Sequence, residues 1–324
     1  MSDYLIDNFG RRITYIRFSV TPRCNFNCVY CNSHTGETDK DEEFSTEDVE
    51  FLFSVMPELG VKKVRLTGGE PLLRHDILDI VKALKKDKIQ EIVLTTNGFY
   101  LSSVAEALRE AGLTRVNVSL DTLNRDTFVR VTGVDALDIV NSGIKEAIKY
   151  GLTPVKINTV LMRGINEKDI LPIAELTLNS DITVRFIELM PVKDNNFWKM
   201  HYMNFRTTLV LIKKKYELIK STGGSGEVAS YYRIKGAPGK IGFITPISQH
   251  FCKYCNRIRI TAKGEIYPCL FSKEYISIRD AVKNRNKDLL VSLIRKSVDI
   301  KPKEHGVISL SSQDFINNMR ELGG

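Results

Sequence analysis

Residues 20–34, VTPRCNFNCVYCNSH, bring three cysteines, Cys24, Cys28 and Cys31, into one short loop. The loop directly follows ITYIRFSV, a run whose β-branched and aromatic residues are typical of a buried strand. In parallel α/β folds the functional groups lie just beyond the carboxyl ends of the strands. The stretch therefore predicts an α/β fold with a metal or redox site at the end of its first strand.

Strand-like runs alternate with helical periodicity through the first 190 residues. These runs begin at Ile13, Lys62, Glu91, Arg115, Pro154 and Thr183. Ser45 is a suitable helix N-cap, and Gly112 and Gly151 lie where helices are expected to end. Strand and helix units in series predict a parallel sheet with right-handed crossovers. There are too few units to close an eight-stranded barrel, so we predict a partial (β/α)6 barrel.

The alternation of strands and helices breaks after Pro191. We therefore predict two regions, a partial barrel in residues 1–190 and a C-terminal extension in residues 191–324. The extension contains an amphipathic stretch, TTLVLIKKKYELI, and a glycine-rich loop. It also carries a second group of cysteines, which are Cys252, Cys255 and Cys269.

The composition, 43% hydrophobic and 27% charged over 324 residues, is that of an ordinary soluble globular protein. The first residues lack the apolar segment of a signal peptide, and no run of about 18 apolar residues occurs. We therefore expect a cytoplasmic protein with no membrane partner. The net charge of +8 indicates an anionic partner such as nucleic acid or a polyphosphate.

The six cysteines form two triplets, which favours metal or redox chemistry over the disulfide frameworks of short secreted chains. Each triplet has a nearby histidine, His34 or His250, so a zinc site of the Cys3His type is one interpretation. The other is a four-iron cluster, which normally takes one thiolate per iron. Three thiolates then leave one iron open to an external ligand.

The spacing C-x3-C-x2-C, with Tyr30 before the last cysteine and GGEP after the second strand, resembles that of the radical S-adenosylmethionine (SAM) enzymes. The strings GRRITYIRFSVTPRCNFNCVYC, VRLTGGEPLLR and FCKYCNRIRITAKGEIYPCLF resemble one family among them, the GTP 3′,8-cyclases. That family consists of lyases that catalyse the first step of molybdenum cofactor biosynthesis. The resemblance implies two [4Fe–4S] clusters, with SAM on the open iron of the first as the source of a 5′-deoxyadenosyl radical.

The resemblance also implies roles for particular residues. Those expected around SAM are Tyr30, Gly68, Gly69, Glu70, Ser119 and Met190. The second cluster is expected on Cys252, Cys255 and Cys269, and the guanine of GTP is expected on its open iron, beside Arg257 and Arg259. Thr96 is a further implied GTP contact. The terminal Gly323 and Gly324 are expected to reach the active site and assist the radical step.

Strand alternation places Arg17, Arg65 and Lys156 on the inner face of the barrel. An unpaired cation in such a place is costly, so a bound anion explains these residues well. We therefore expect them to bind the triphosphate of GTP, with Arg185 on the sixth strand in support.

Expectations about partners complete the sequence-based picture. We expect an electron donor of unknown identity, transfer of the product to cyclic pyranopterin monophosphate synthase, and a homodimer. No nucleic-acid partner is expected, because acidic residues interleave with the basic ones. Two other functions stay open: a radical SAM peptide-maturation enzyme, which usually has more C-terminal cysteines, and a zinc-stabilised nucleic-acid-binding protein.

Overall fold

The computed structural model describes residues 4–31, 42–87, 89–191, 195–221, 229–305 and 322. The strands in these ranges are β1 (Tyr15–Ser19), β2 (Lys63–Thr67), β3 (Glu91–Thr96), β4 (Arg115–Ser119), β5 (Lys156–Leu161), β6 (Thr183–Glu188), β7 (Leu218–Ser221), β8 (Ala229–Ile234), β9 (Lys240–Ile244), β10 (Arg257–Ile260), β11 (Glu265–Tyr267) and β12 (Ile276–Ser277). They form one open sheet in the order β12-β11-β10-β1-β2-β3-β4-β5-β6-β9-β8-β7.

Helices connect the strands and cover the outer face of the sheet. The helices are α1 (Thr46–Ser54), α2 (Ile77–Lys86), α3 (Leu101–Ala111), α4 (Arg125–Thr132), α5 (Leu137–Lys149), α6 (Ile170–Glu175), α7 (Asn195–His201), α8 (Phe205–Lys215), α9 (Arg279–Lys283) and α10 (Lys287–Asp299). Short 3-10 helices occupy Pro71–Leu73, Glu167–Asp169 and Cys252–Tyr254.

The central strands β1 to β6 are parallel and adjacent in chain order. This arrangement confirms the predicted partial (β/α)6 barrel. The C-terminal region adds strands at both sides of it, because β9 pairs parallel with β6 and β10 pairs parallel with β1. The outermost strands, β7 and β8 on one side and β11 and β12 on the other, are antiparallel. The predicted extension therefore continues the sheet of the barrel at both edges.

Helix ends follow the predicted capping residues. The Ser45 hydroxyl accepts from the backbone N–H of Asp48 (3.2 Å), and the Asp48 carboxylate accepts from the N–H of Ser45 (3.1 Å), which forms a capping box at α1. Gly112 ends α3 with a φ of 108°, and Gly151 follows α5 with a φ of 72°. Both glycines have the left-handed conformation that favours glycine after a helix.

Side chains along β1 point alternately to the hydrophobic core beneath the helices and to the inside of the barrel. Ile16 and Phe18 are fully buried in the main hydrophobic core, and the ring of Phe18 lies 5.5 Å from that of Phe53 in α1. Tyr15 and Arg17 alternate with them and face the inside of the barrel. The helices thus pack on an apolar outer face, while the inner face can carry polar and charged groups.

Among the helices that the structure describes, none has both the length and the apolar character needed to cross a membrane.

Candidate active site

The first cysteine triplet lies beyond the carboxyl end of β1, where the sequence predicts it. The backbone N–H of Asn27 donates to the carbonyl of Thr132 (2.8 Å), which fixes the loop to the end of α4. The N–H of Cys31 donates to the carbonyl of Cys28 (3.0 Å), which closes a turn between the last two cysteines. All three thiols are half-buried.

The Gly-Gly-Glu turn after β2 holds the start of this loop. The N–H of Gly69 donates to the carbonyl of Thr21 (2.8 Å), and the N–H of Glu70 donates to the carbonyl of Arg23 (2.7 Å). A Cβ on Gly68 would lie 2.2 Å from the Thr21 oxygen, and one on Gly69 would lie 2.2 Å from the Arg23 oxygen. Close approach of the cysteine loop therefore requires both glycines. Their contact with SAM stays a prediction.

Glu70 is a fully buried hydrogen-bond acceptor beneath this turn. Its carboxylate accepts from the backbone N–H groups of Leu72 (3.0 Å) and Asn97 (2.7 Å) and from the hydroxyl of Thr96 (2.7 Å). Burial raises the pKa of Glu70 to about 7. In this structure Thr96 is thus engaged with Glu70 at the turn, and its predicted contact with GTP stays a prediction.

Tyr30 and Ser119, both predicted to surround SAM, lie at the same end of the barrel as the first triplet. The Tyr30 hydroxyl donates to the Asp121 carboxylate (2.8 Å), which also accepts from the N–H of Val160 (2.8 Å). Burial raises the pKa of Asp121 to about 6 and that of Tyr30 well above its usual value. Ser119 is the last residue of β4 and is half-buried. The Tyr30–Asp121 bond therefore ties the neighbour of Cys31 to the end of β4.

The second cysteine triplet lies at the opposite end of the strands. Strand β10 is parallel to β1, with Arg257 opposite Tyr15, so Cys255 precedes the amino end of the sheet. Strand β11 returns antiparallel to β10 and brings Cys269 to the same end. The expectation that functional groups lie beyond the carboxyl ends of the strands therefore accounts for the first triplet only.

A cavity of about 540 Å³ occupies the barrel interior and extends to the second triplet. This volume is within the range of about 300–1,000 Å³ that is typical of small-molecule sites. Its wall includes all three cysteines of the second triplet and Met190. The cations that line it are Arg12, Arg17, Lys62, Lys63, Arg65, Arg115, Lys156, Arg185, Arg257, Arg259 and Lys301. The cavity thus contains five of the six residues predicted to contact GTP, as well as Arg185.

The electrostatics of this cavity are those of an anion site. Burial lowers the pKa of Arg65 and of Arg259 to about 10, and it lowers that of Arg17 well below its usual value. Burial raises the pKa of Tyr15, but the nearby cations, chiefly Arg65 and Arg17, lower it, and the net change is downward. Within the described residues, the buried Nε of Arg65 and hydroxyl of Tyr15 have no hydrogen-bond partner. Buried cations and donors of this kind are suited to a polyanionic ligand.

Arg257 and Arg259 reach the cavity from one face of β10, as an R-x-R strand predicts. The guanidinium of Arg257 lies over the ring of Phe251, 5.2 Å from its centroid. Arg259 Nη1 donates to the carbonyl of Leu322 (2.9 Å), and Leu322 is 1% exposed. The residue before the terminal glycines therefore lies against a cavity-lining arginine. Gly323 and Gly324 themselves are outside the described residues.

The donor chemistry of both triplets fits iron–sulfur ligation. The N–H of Phe26 approaches Cys24 Sγ at 3.5 Å, the kind of N–H···S contact that tunes a cluster. Burial raises the pKa of Cys255, but Arg257 and Lys301 lower it, and the net value is about 7. A lowered thiol pKa favours the thiolate, the form that binds metal, at Cys255, whereas burial raises the pKa of Cys252.

The histidines considered for zinc sites do not complete such a site in the described part of the chain. His34 is outside that part. The ring of His250 contacts the carbonyl of Pro246 and the ring of His305, each at 3.2 Å. Across the described ranges, no three His, Cys, Asp or Glu side chains are grouped as the ligands of a single ion would be.

The sequence analysis missed three polar residues that support the site. Asn117 accepts from Arg115 Nη1 (3.1 Å) and Arg185 Nη2 (2.9 Å), and an asparagine within the β-branched run RVNVS was a signal that could have identified it. Arg11 donates to the carbonyl of Cys252 (2.9 Å), and Lys301 lines the cavity. The latter two come from distant parts of the chain and carried no local signal.

Comparison with known proteins identifies the family. The family model of the Radical SAM superfamily matches residues 18–177, and that of Molybdenum Cofactor Synthesis C matches residues 182–307. The GTP 3′,8-cyclase of Listeria welshimeri is 42% identical, with 99% of each chain covered. The enzymes of the same name from Peptoclostridium acidaminophilum and Geobacter sulfurreducens are 42% and 39% identical over 99% of this chain and 98% and 99% of theirs.

Solved structures support the fold independently. Streptococcus suis SuiB bound to S-adenosylmethionine superposes with a TM-score of 0.61 at 16% identity, covering 95% of this chain and 77% of that one. Native anSMEcpe with bound AdoMet gives 0.52 at 15% identity, covering 88% and 84%. These similarities show the fold alone. The much higher identity to the cyclases, over nearly the full length of both chains, shows that this chain belongs to the GTP 3′,8-cyclase family of radical SAM enzymes.

Proposed function

We propose that this enzyme converts GTP to (8S)-3′,8-cyclo-7,8-dihydroguanosine 5′-triphosphate, the first step of molybdenum cofactor biosynthesis, between two [4Fe–4S] clusters. The observation that carries the proposal is the cation-lined cavity, whose wall includes the whole second cysteine triplet. The first triplet lies at the other end of the same strands. A substrate in the cavity therefore lies between two sets of cluster ligands.

The triphosphate is assigned to the cations of the inner face. Arg17, Arg65 and Lys156 project from three different strands into the cavity and provide charge from several directions. All three are buried, so their interaction with phosphate oxygens is only weakly screened by water. Asn117 holds Arg185 by a hydrogen bond of 2.9 Å and thereby orients a further cation.

The guanine is assigned to the end of the cavity at the second triplet. Cys252, Cys255 and Cys269 are the residues that would hold the second cluster, whose open iron the base would approach. Arg257 and Arg259 flank this end and present planar guanidinium donors, which suit recognition of a purine nucleotide.

The first triplet and the Gly-Gly-Glu turn are assigned to the radical step. Cys24, Cys28 and Cys31 would hold the first cluster, which with SAM bound would supply a 5′-deoxyadenosyl radical able to remove the ribose C3′ hydrogen. The turn fixes the cysteine loop through two backbone hydrogen bonds. The residues around SAM, among them Tyr30 and Met190, serve to orient it and exclude water, because a primary radical reacts with nearly any group it meets.

The terminal Gly323-Gly324 is assigned to the same reaction space. Leu322 is buried, and its carbonyl accepts from Arg259 in the cavity wall. Leu322 thus lies next to the substrate cavity, and glycine is the one residue type that presents backbone without a side chain. The two glycines would thus assist the radical step with backbone groups.

Other partners follow from the reaction. Reductive chemistry requires an electron donor, and the cyclised product would pass to cyclic pyranopterin monophosphate synthase. A homodimer is a further part of the proposal. The electron donor and the synthase are inferred from the activity of the family, and the homodimer is inferred from the family resemblance alone.

A pair of cysteine variants tests the separation of the two sites. Cys24→Ala should abolish reductive cleavage of SAM, whereas Cys269→Ala should retain uncoupled cleavage and lose cyclisation. Each variant should keep about four irons of the roughly eight expected in the fully reconstituted enzyme. Identical loss of SAM cleavage in both folded variants, or stoichiometric zinc without sulfide in the unmutated protein, would contradict the proposal.

A further inference from the structure

A short segment after α10 is hydrogen-bonded, directly or through Arg11, to the loops that carry the three cysteines of the second triplet. We call residues 301–305 the clasp. Its first residue is anchored by its own backbone, because the N–H of Lys301 donates to the carbonyl of Val298 (3.1 Å) at the end of α10. That helix is itself fixed by buried Leu290 and Ile294. The clasp therefore starts from a rigid base.

The ammonium of Lys301 joins the two segments that carry Cys255 and Cys269. Its Nζ donates to the carbonyl of Arg257 (2.8 Å), two residues after Cys255, and to that of Pro268 (2.5 Å), directly before Cys269. These two carbonyls belong to different strand ends, so the side chain acts as a bridge between them. Breaking the bridge would release one cysteine relative to the other.

Arg11 holds the other half of the clasp and the remaining cysteine. Its guanidinium donates to the carbonyls of Pro302 (2.6 Å), Lys303 (2.9 Å) and Cys252 (2.9 Å), and Asp7 fixes it through an ion pair of 2.5 Å. The clasp and the loop of Cys252 are therefore bound to one common residue. All three cysteines of the triplet are thus linked to residues 301–303.

The buried ammonium of Lys301 would be stabilised by an anion beside it. The residue is 3% exposed, and its hydrogen bonds go to neutral carbonyls, which compensate only part of the cost of burying an ammonium. It lines the cavity together with Cys255 and Cys269. Thiolates that bind a cluster would supply the missing negative charge.

We propose that Lys301 is a positioning residue that fixes Cys255 and Cys269 for the second cluster and holds a positive charge beside it. The inference rests on the proposed function, since it requires a cluster on the second triplet. The positive charge should raise the reduction potential of the second cluster, because a fixed cation stabilises the more negative, reduced form.

The test measures the second site alone, in the full-length chain with Cys24, Cys28 and Cys31 replaced by alanine. In this background Lys301→Met removes the ammonium, Lys301→Arg keeps charge and donors, and Lys303→Met removes an exposed charge nearby as the matched control. The measurements are iron and sulfide content, the rate of iron loss to a chelator, and the midpoint potential from a redox titration followed by electron paramagnetic resonance.

We expect Lys301→Met to lose iron roughly ten-fold faster or more, the factor that one charge-assisted hydrogen bond is worth, and to have a more negative potential. Lys301→Arg and Lys303→Met should match the parent in both. An unchanged potential and rate in Lys301→Met overturns the inference. If Lys301→Met assembles no cluster, Lys301→Arg decides. A cluster in Lys301→Arg with the same midpoint potential as the parent supports the inference, and failure of Lys301→Arg to assemble a cluster overturns it. A parent without iron and sulfide would instead refute the second cluster itself.

Discussion

The sharpest single perturbation of the first site is Gly69→Ala. The added Cβ would lie 2.2 Å from the carbonyl oxygen of Arg23 and 2.6 Å from that of Pro22. Cβ atoms essentially never approach another heavy atom closer than 3.0 Å, so the backbone directly before Cys24 must move by about 1 Å. Overpacking of this kind costs about 1–3 kcal/mol, and loss of the 2.7 Å bond from Glu70 to Arg23 adds about 1 kcal/mol.

We therefore expect Gly69→Ala to fold but to lose the first cluster, because the strain falls on the loop that carries its ligands. Iron should drop to about four per chain, SAM cleavage should disappear, and spectra of the second cluster should persist. Gly164→Ala is the control: its φ is 70° but no atom lies within 4 Å of the added Cβ, so it should cost about 1 kcal/mol and keep both clusters. Full iron content and SAM cleavage in Gly69→Ala would refute the reasoning.

Three further predictions concern substrate, tail and pH. Arg259→Ala should weaken GTP binding about ten-fold or more in calorimetry while SAM binding persists. Arg206→Ala, at an exposed position, is the control. Equal affinity for GTP in both variants would show that Arg259 does not contact GTP. Deleting Gly323 and Gly324 should leave iron content and SAM binding intact while cyclisation falls steeply, and full cyclase activity would argue against the tail's role. Burial raises the pKa of Glu70 from 4.5 to about 7, so the native state binds this proton more tightly than the unfolded chain. The free energy of unfolding of the apoprotein should therefore fall as pH rises from about 4.5 to about 7, and Glu70→Gln should flatten that part of a urea-denaturation profile.

Local patterns predicted the strands, caps and inward cations because each depends on neighbouring residues. Arg17 and Arg65 follow from two-residue alternation on a strand whose outer face is apolar, and the capping box at Ser45 follows from a three-residue spacing. The hydrogen bond from Thr96 to Glu70 was not predictable in this way, because it joins the ends of two different strands.

The sequence by itself determined the chemistry of this protein: two cysteine triplets, a Gly-Gly-Glu turn, buried cations and a family resemblance that the relatives confirm. Only the tertiary structure decided where these groups stand relative to one another. Parallel pairing of β10 with β1 sets the two triplets at opposite ends of the barrel, and a contact across 241 residues of chain brings Arg11 to Cys252. The physical reason is that strand pairing and burial of charge depend on packing between distant segments, which no local spacing encodes.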